Sequence, residues 1–144
     1  MWRGELFWEW RRSFWHCWCE RMDYSEIVLL AREVRKSFEK REIPQEKLER
    51  VYFHYNSLKD IKTFIERALR LFPRGNCGLA SVYLQQFLPS AEVIRGNYGL
   101  ESHTFLLLDE TVVIDITADQ FGGPEVYVGL LKEPWRIDSI SSLL

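Results

Sequence analysis

The apolar residues of this chain recur at helical spacing up to Phe87 and at strand spacing after Pro89. From Tyr24 to about Arg41, Ile27, Leu30, Ala31, Val34 and Phe38 follow the i, i+3, i+4 pattern of an amphipathic helix. Asp23 or Ser25 is placed to cap its start, and Ile43-Pro44 to end it. A second helix is expected over Gln45 to His54. Ser57, with Asp60 three residues on, resembles a capping box in which Asp replaces Glu. It predicts a third helix with Leu58, Ile61, Phe64, Ile65, Ala68, Leu69 and Phe72 on one side, stopped by Pro73 and Gly75. Cys77 to about Phe87 reads as a short helix burying Leu79, Val82, Tyr83 and Phe87, closed by Pro89.

Four short β-branched or aromatic runs then follow, at Ala91 to Arg95, Ser102 to Leu108, Thr111 to Thr117 and Glu125 to Val128. Gly, Asp and Pro separate them, as strand boundaries require. Helices first and strands second predicts an α+β domain, with amino-terminal helices packed on a small, mainly antiparallel sheet.

Residues 1–21 break this pattern. They hold five of the six tryptophans, with Phe7, Phe14, Cys17, Cys19 and four arginines. On a helical wheel Phe7, Trp10, Phe14 and Trp18 form one stripe, opposite Glu9, Arg12, His16 and Glu20. Such a segment suits a membrane interface or a partner groove, or a docked piece of core. The preferred reading places it outside the functional domain, because Met22-Asp23-Tyr24-Ser25 reads as a natural start. One domain over 22–144 is therefore expected, after an aromatic extension over 1–21.

A chain of 144 residues is long enough to bury a real core. No apolar run approaches the ~20 residues of a spanning helix, and the first residues lack the apolar core and cleavage site of a signal peptide. Three cysteines, two of them in Cys17-Trp18-Cys19, do not make a disulfide framework. The reducing cytoplasm is the expected compartment. Residues 73–144 carry four basic and nine acidic side chains. That excess argues against a phosphate-tracking surface and so against nucleic acid as a partner. His16, Cys17 and Cys19 lack a second ligand pair at finger-like spacing. Arg74-Gly75-Asn76-Cys77-Gly78 lacks the lysine of a phosphate loop, and Gly96-Asn97-Tyr98-Gly99 lacks a following helix. No metal and no cofactor are expected.

The chemistry-bearing residues are Cys77, His103 and Asp115, in that order. A helix start lowers a thiol's pKa because unpaired backbone N–H groups point at it. Gly75 and Gly78 let the chain turn sharply around Cys77. The Cys77 amide, with a neighbouring donor such as the Asn76 side chain, can hold a developing oxyanion; Asn76 and Gln120 are the candidate oxyanion or substrate-binding side chains. His103 opens an apolar strand, and Asp115 interrupts Val112-Val113-Ile114-Asp115-Ile116. Burying a lone carboxylate is costly, so a partner is expected for it. By strand parity His103 and Asp115 share one face. A three-residue loop, Leu108-Asp109-Glu110, sets them directly opposite; a five-residue loop makes them diagonal neighbours. A buried structural cysteine and a half-buried strand histidine are ordinary on their own. The ordered combination is what points to a nucleophile, its base and an orienting carboxylate.

From Gly75 to Phe121, roughly a third of the chain, the sequence resembles the catalytic core of the transglutaminase-like and papain-like cysteine hydrolases. Those proteins carry G-x-C at a helix start, then an H-x-aromatic strand and a D-x-T strand. Here the matching residues are Gly75-Asn76-Cys77, His103-Thr104-Phe105 and Asp115-Ile116-Thr117, followed by Ala118-Asp119-Gln120-Phe121. The hairpin is more compact than in many relatives, which also carry a tryptophan after the histidine. The resemblance implies Cys77 as nucleophile, His103 as base and Asp115 as its orienter. It implies thiol-dependent hydrolysis of an amide bond, by a peptidase or glutamine deamidase, on a protein, peptide or small amide. Transglutaminase-type acyl transfer and an inactive binding domain of the same fold are the alternatives. The acidic catalytic half favours neutral or basic substrates. Specificity is expected in the loops Gly96 to Ser102 and Phe121 to Pro124.

Overall fold

In the computed structural model, which describes residues 22–138, Asp23 caps the first helix, α1 (Tyr24–Glu39). Its carboxylate accepts from the Glu26 N–H at 2.9 Å, satisfying a donor that a helix start leaves unpaired. Helix α2 spans Gln45–Tyr55 and α3 Ile61–Leu71. The expected cap at Ser57 is corrected: α3 opens at Ile61 on Asp60, whose carboxylate accepts from the Thr63 N–H. Helix α4 spans Cys77–Gln85. Before it, Gly75 stands at φ +70°, a conformation that favours glycine.

The second half of the described residues is an antiparallel sheet of five strands in the order β4-β3-β2-β1-β5. They are β1 (Glu92–Tyr98), β2 (Glu101–Leu108), β3 (Val112–Asp115), β4 (Tyr127–Leu130) and β5 (Trp135–Arg136). A 3-10 turn at Ala118–Phe121 follows β3. The domain is α+β. Of the expected specificity loop Gly96 to Ser102, only Gly99-Leu100 is a turn; the rest pairs as β1 and β2, with Tyr98 facing Glu101. β5 is two residues long, too short to leave a period in the sequence. It pairs Trp135 with Tyr98 and Arg136 with Asn97. Gly96 makes room for it, since a Cβ there would stand 2.3 Å from the Arg136 carbonyl oxygen.

Between β2 and β3, Asp109 and Glu110 both adopt positive φ, as both central residues of a type I′ turn do. Leu108 faces Val112 and Leu106 faces Ile114. The loop is the three residues Asp109-Glu110-Thr111, one position later than the expected Leu108-Asp109-Glu110, and that shift, rather than a five-residue loop, makes His103 and Asp115 diagonal neighbours. Alternation then sorts the sheet's two faces. Leu106 and Ile114 join the main core with the inward sides of the helices. Phe105, Leu107 and Val113 join a smaller cluster with Ile94, Ala118 and Trp135. His103 and Asp115 share the parity of this second face. No described helix is long and apolar enough to cross a membrane. The expectations for residues 1–21, including the separate extension and its membrane contact, lie outside the described residues.

Candidate active site

Helix α4 packs on β2, and the Ser81 hydroxyl donates to the Thr104 carbonyl at 3.2 Å. This contact sets the first turn of α4, and with it Cys77, beside the start of β2. Cys77 is partly exposed. Burial pushes its thiol pKa up, but the neighbouring His103 ring and Thr104 more than offset that, leaving the thiol below its ordinary value. Tyr52 of α2 stands on the helix side of the cysteine. A Cβ on Gly78 would lie 3.6 Å from its hydroxyl. Its phenol is pushed up, first by burial and in smaller part by the Cys77 charge.

His103 is 2% exposed. Its Nε2 lies 2.6 Å from Asp115 Oδ2, a short contact of the charge-assisted kind. Burial opposes the imidazolium, yet Asp115 and the Cys77 thiolate raise the His103 pKa to about 9. Its other nitrogen, Nδ1, is buried without a conventional hydrogen-bond partner. Cys77 is the titratable side chain besides Asp115 that exchanges charge with the ring.

The carboxylate of Asp115, 2% exposed, is fully partnered. Oδ2 also accepts from Trp135 Nε1 at 2.8 Å. Oδ1 accepts from the Thr117 N–H at 2.9 Å and the Thr117 hydroxyl at 3.4 Å. These donors replace the water the carboxylate lost on burial, as a charge at this depth requires. Trp135 was missed at the sequence level. The available signal was that it is the one tryptophan after residue 21, and a buried indole N–H needs an acceptor.

Asn76 corrects an expectation. Its side chain is wholly buried, and Nδ2 donates to the carbonyls of Ala68 (2.7 Å) and Arg74 (2.9 Å). Both amide hydrogens are thereby spent, so the side chain has none to give an oxyanion. It pins the loop before α4 to α3 instead. Gln120 reaches the same loop from the other side: its Oε1 accepts from the Gly75 N–H at 3.3 Å, and its Nε2 donates to the Thr117 carbonyl at 3.0 Å. One Nε2 hydrogen remains. Asp119, the other aspartate of the motif run, forms a two-pronged pair with Arg35.

Aromatic rings close around the imidazole. Phe121 and Tyr98 meet it edge-on at 5.1 and 6.1 Å, and they stack on each other at 5.8 Å. Phe105 lies at 6.0 Å. Phe121 and Tyr98 are themselves half-exposed, so they cover the buried ring while facing solvent. Among the described residues no group of three His, Cys, Asp or Glu side chains could hold a metal ion.

Fold and site together describe an α+β domain with a cysteine at the start of a helix and a buried His103–Asp115 pair. No family model matches the chain, and neither does any curated protein or solved structure.

Proposed function

We propose that the chain is a thiol-dependent hydrolase of amide bonds, a peptidase or glutamine deamidase of the transglutaminase-like and papain-like kind. Cys77 is the nucleophile, His103 the base and acid, and Asp115 the orienter. The observation that carries this is the bond from His103 Nε2 to Asp115, which reserves Nδ1 for the thiol. The shifts of the pair agree with it: the thiol is lowered and the imidazole raised to about 9, the directions that a thiolate–imidazolium pair takes.

In the first half-reaction the Cys77 thiolate forms a C–S bond to the amide carbon, and the carbonyl π electrons move to oxygen. The Cys77 N–H, at a helix start where backbone donors lack intrahelical partners, can receive that oxyanion. Collapse breaks the C–N bond as His103 gives its Nδ1 proton to the leaving nitrogen. Water then attacks the thioester and yields a proton to Nδ1. Collapse of that second adduct breaks the C–S bond, returning thiolate and imidazolium. Asp115 holds the ring orientation throughout without taking the proton.

The test is turnover of a panel of peptide amides and glutamine peptides, read as amine or ammonia release. Cys77→Ala should lower it by about 10⁴-fold or more, the scale on which loss of a catalytic nucleophile acts. Retention of turnover in that variant would sink the reading.

A further inference from the structure

We infer that Arg35 and Gln120 form a two-point brace that holds the Cys77 loop in register with the His103–Asp115 pair, as positioning residues that touch neither thiol nor imidazole. The inference rests on the reading of Cys77 as nucleophile.

Arg35 lies on the buried side of α1, 6% exposed. Its Nη1 donates to the Ile116 carbonyl at 2.8 Å and to Asp119 Oδ1 at 2.7 Å, and Nη2 donates to Asp119 Oδ2 at 2.8 Å. Nε bonds Glu39 at 2.6 Å. The guanidinium also lies 4.8 Å from the centre of the Phe72 ring. One side chain thus grips the residue after Asp115 and the residue that ends α3, five positions before Cys77. Gln120 ties the same two segments a second time. It joins Gly75 to the Thr117 carbonyl, and the Thr117 N–H is itself a donor to Asp115.

Both ties cross from the nucleophile's loop to the orienter's strand, which contribute residues about forty positions apart. A buried ion pair is poor evidence of a stabilising role, because apolar replacements are often neutral or better. A planar fork bonded at both prongs does fix distance and angle. The thiolate needs that. At an effective dielectric of about 20, opening a charge pair from about 4 to about 5 Å moves a titration midpoint by about half a pH unit. The groups that face Cys77 are His103 on β2, Asp115 behind it on β3, and Tyr52 on α2, itself influenced by Arg95 on β1. Neither brace residue belongs to that set, and Gln120 carries no charge, so a shift caused by its replacement acts through position.

The experiment follows iodoacetamide modification of Cys77 from pH 4 to 10 by mass spectrometry of its peptide. It uses the full chain at 20 °C, comparing wild type with Arg35→Met, Asp119→Asn and Gln120→Met. Each folded variant should move the midpoint up by about half a pH unit or more. Arg35→Met strands Asp119 and can cost the fold. Gln120→Met alters one half-exposed side chain, so it and Asp119→Asn carry the test in that event. Folded variants with a lower Tm and a wild-type midpoint would reduce the brace to ordinary scaffolding and overturn the inference alone. A wild-type midpoint at the free-thiol value would overturn the nucleophile reading and this inference with it.

Discussion

Asp115 sits two residues before the position directly across from His103, and the two side chains meet diagonally at 2.6 Å. The turn at Asp109 and Glu110 produces this offset by pairing Leu108 with Val112. Phe105 is thereby placed across from Asp115, and Thr117 falls beyond the last pair, free to fold its N–H back onto the carboxylate. The diagonal leaves room for Trp135 to reach the same oxygen that His103 uses.

Exchanging the two aspartates for asparagine should separate their roles. Asp115→Asn keeps the shape, removes the charge that holds the imidazole, and should lower turnover by about 10⁴-fold, as loss of a histidine-orienting carboxylate does. Asp119→Asn breaks only the pair with Arg35 and should be much milder. Rates for the two variants on one amide substrate decide it; a larger loss from Asp119 would contradict the assignment.

Cys77 should be alkylated by iodoacetamide near pH 6 faster than Cys17 or Cys19, because His103 and Thr104 hold its thiol below the ordinary range. His103→Ala removes the imidazolium and should move the midpoint of the labelling profile upward. A profile identical to wild type would mean that the ring and the thiol do not interact.

The raised His103 pKa also has a stability signature. A group raised on folding contributes stability that is fully present below its unfolded value of about 6.5. That contribution is lost as pH rises through about 9. Denaturant midpoints measured at pH 7 and pH 10 should therefore fall further in wild type than in His103→Gln. Equal losses in the two proteins would show that the imidazole is not held charged.

Trp135→Phe preserves most of the ring packing and deletes one donor to Asp115. Leaving a buried acceptor short of a partner costs about 1–3 kcal/mol. Loss of stability in that range by urea unfolding is expected, accompanied by slower alkylation of Cys77 at pH 6 as His103 loses its fixed anchor. A neutral substitution would mean the indole bond contributes nothing.

Gly96→Ala should displace β5, because the new Cβ would stand 2.3 Å from the Arg136 backbone oxygen and 3.1 Å from the Phe105 ring. Overpacking of this kind costs about 1–3 kcal/mol. Since β5 carries Trp135, this variant should reproduce the alkylation change of Trp135→Phe along with its own loss of stability. Wild-type stability would show that β5 can shift aside freely.

Local periodicity alone was enough to read α1, α2 and α4, the switch to strands after Pro89, and the α+β class. Helical and extended backbones place neighbouring side chains by rules that operate within a few residues. The order Cys77, His103, Asp115 and the shared face of the last two were legible for the same reason. The choice between opposite and diagonal pairing lay in the turn angles of Asp109 and Glu110, residues whose identity does not demand positive φ. The inward rotation of Asn76 was decided by acceptors at Ala68 and Arg74, although its spacing to Cys77 suits an oxyanion donor equally well. Trp135, Arg35 and Gln120 find their partners 20, 84 and 45 positions away, and β5 is held by a two-residue pairing that a side-chain pattern cannot record. Such contacts exist only once the helices and sheet have packed, because what brings a donor to a distant acceptor is the burial of the apolar faces between them.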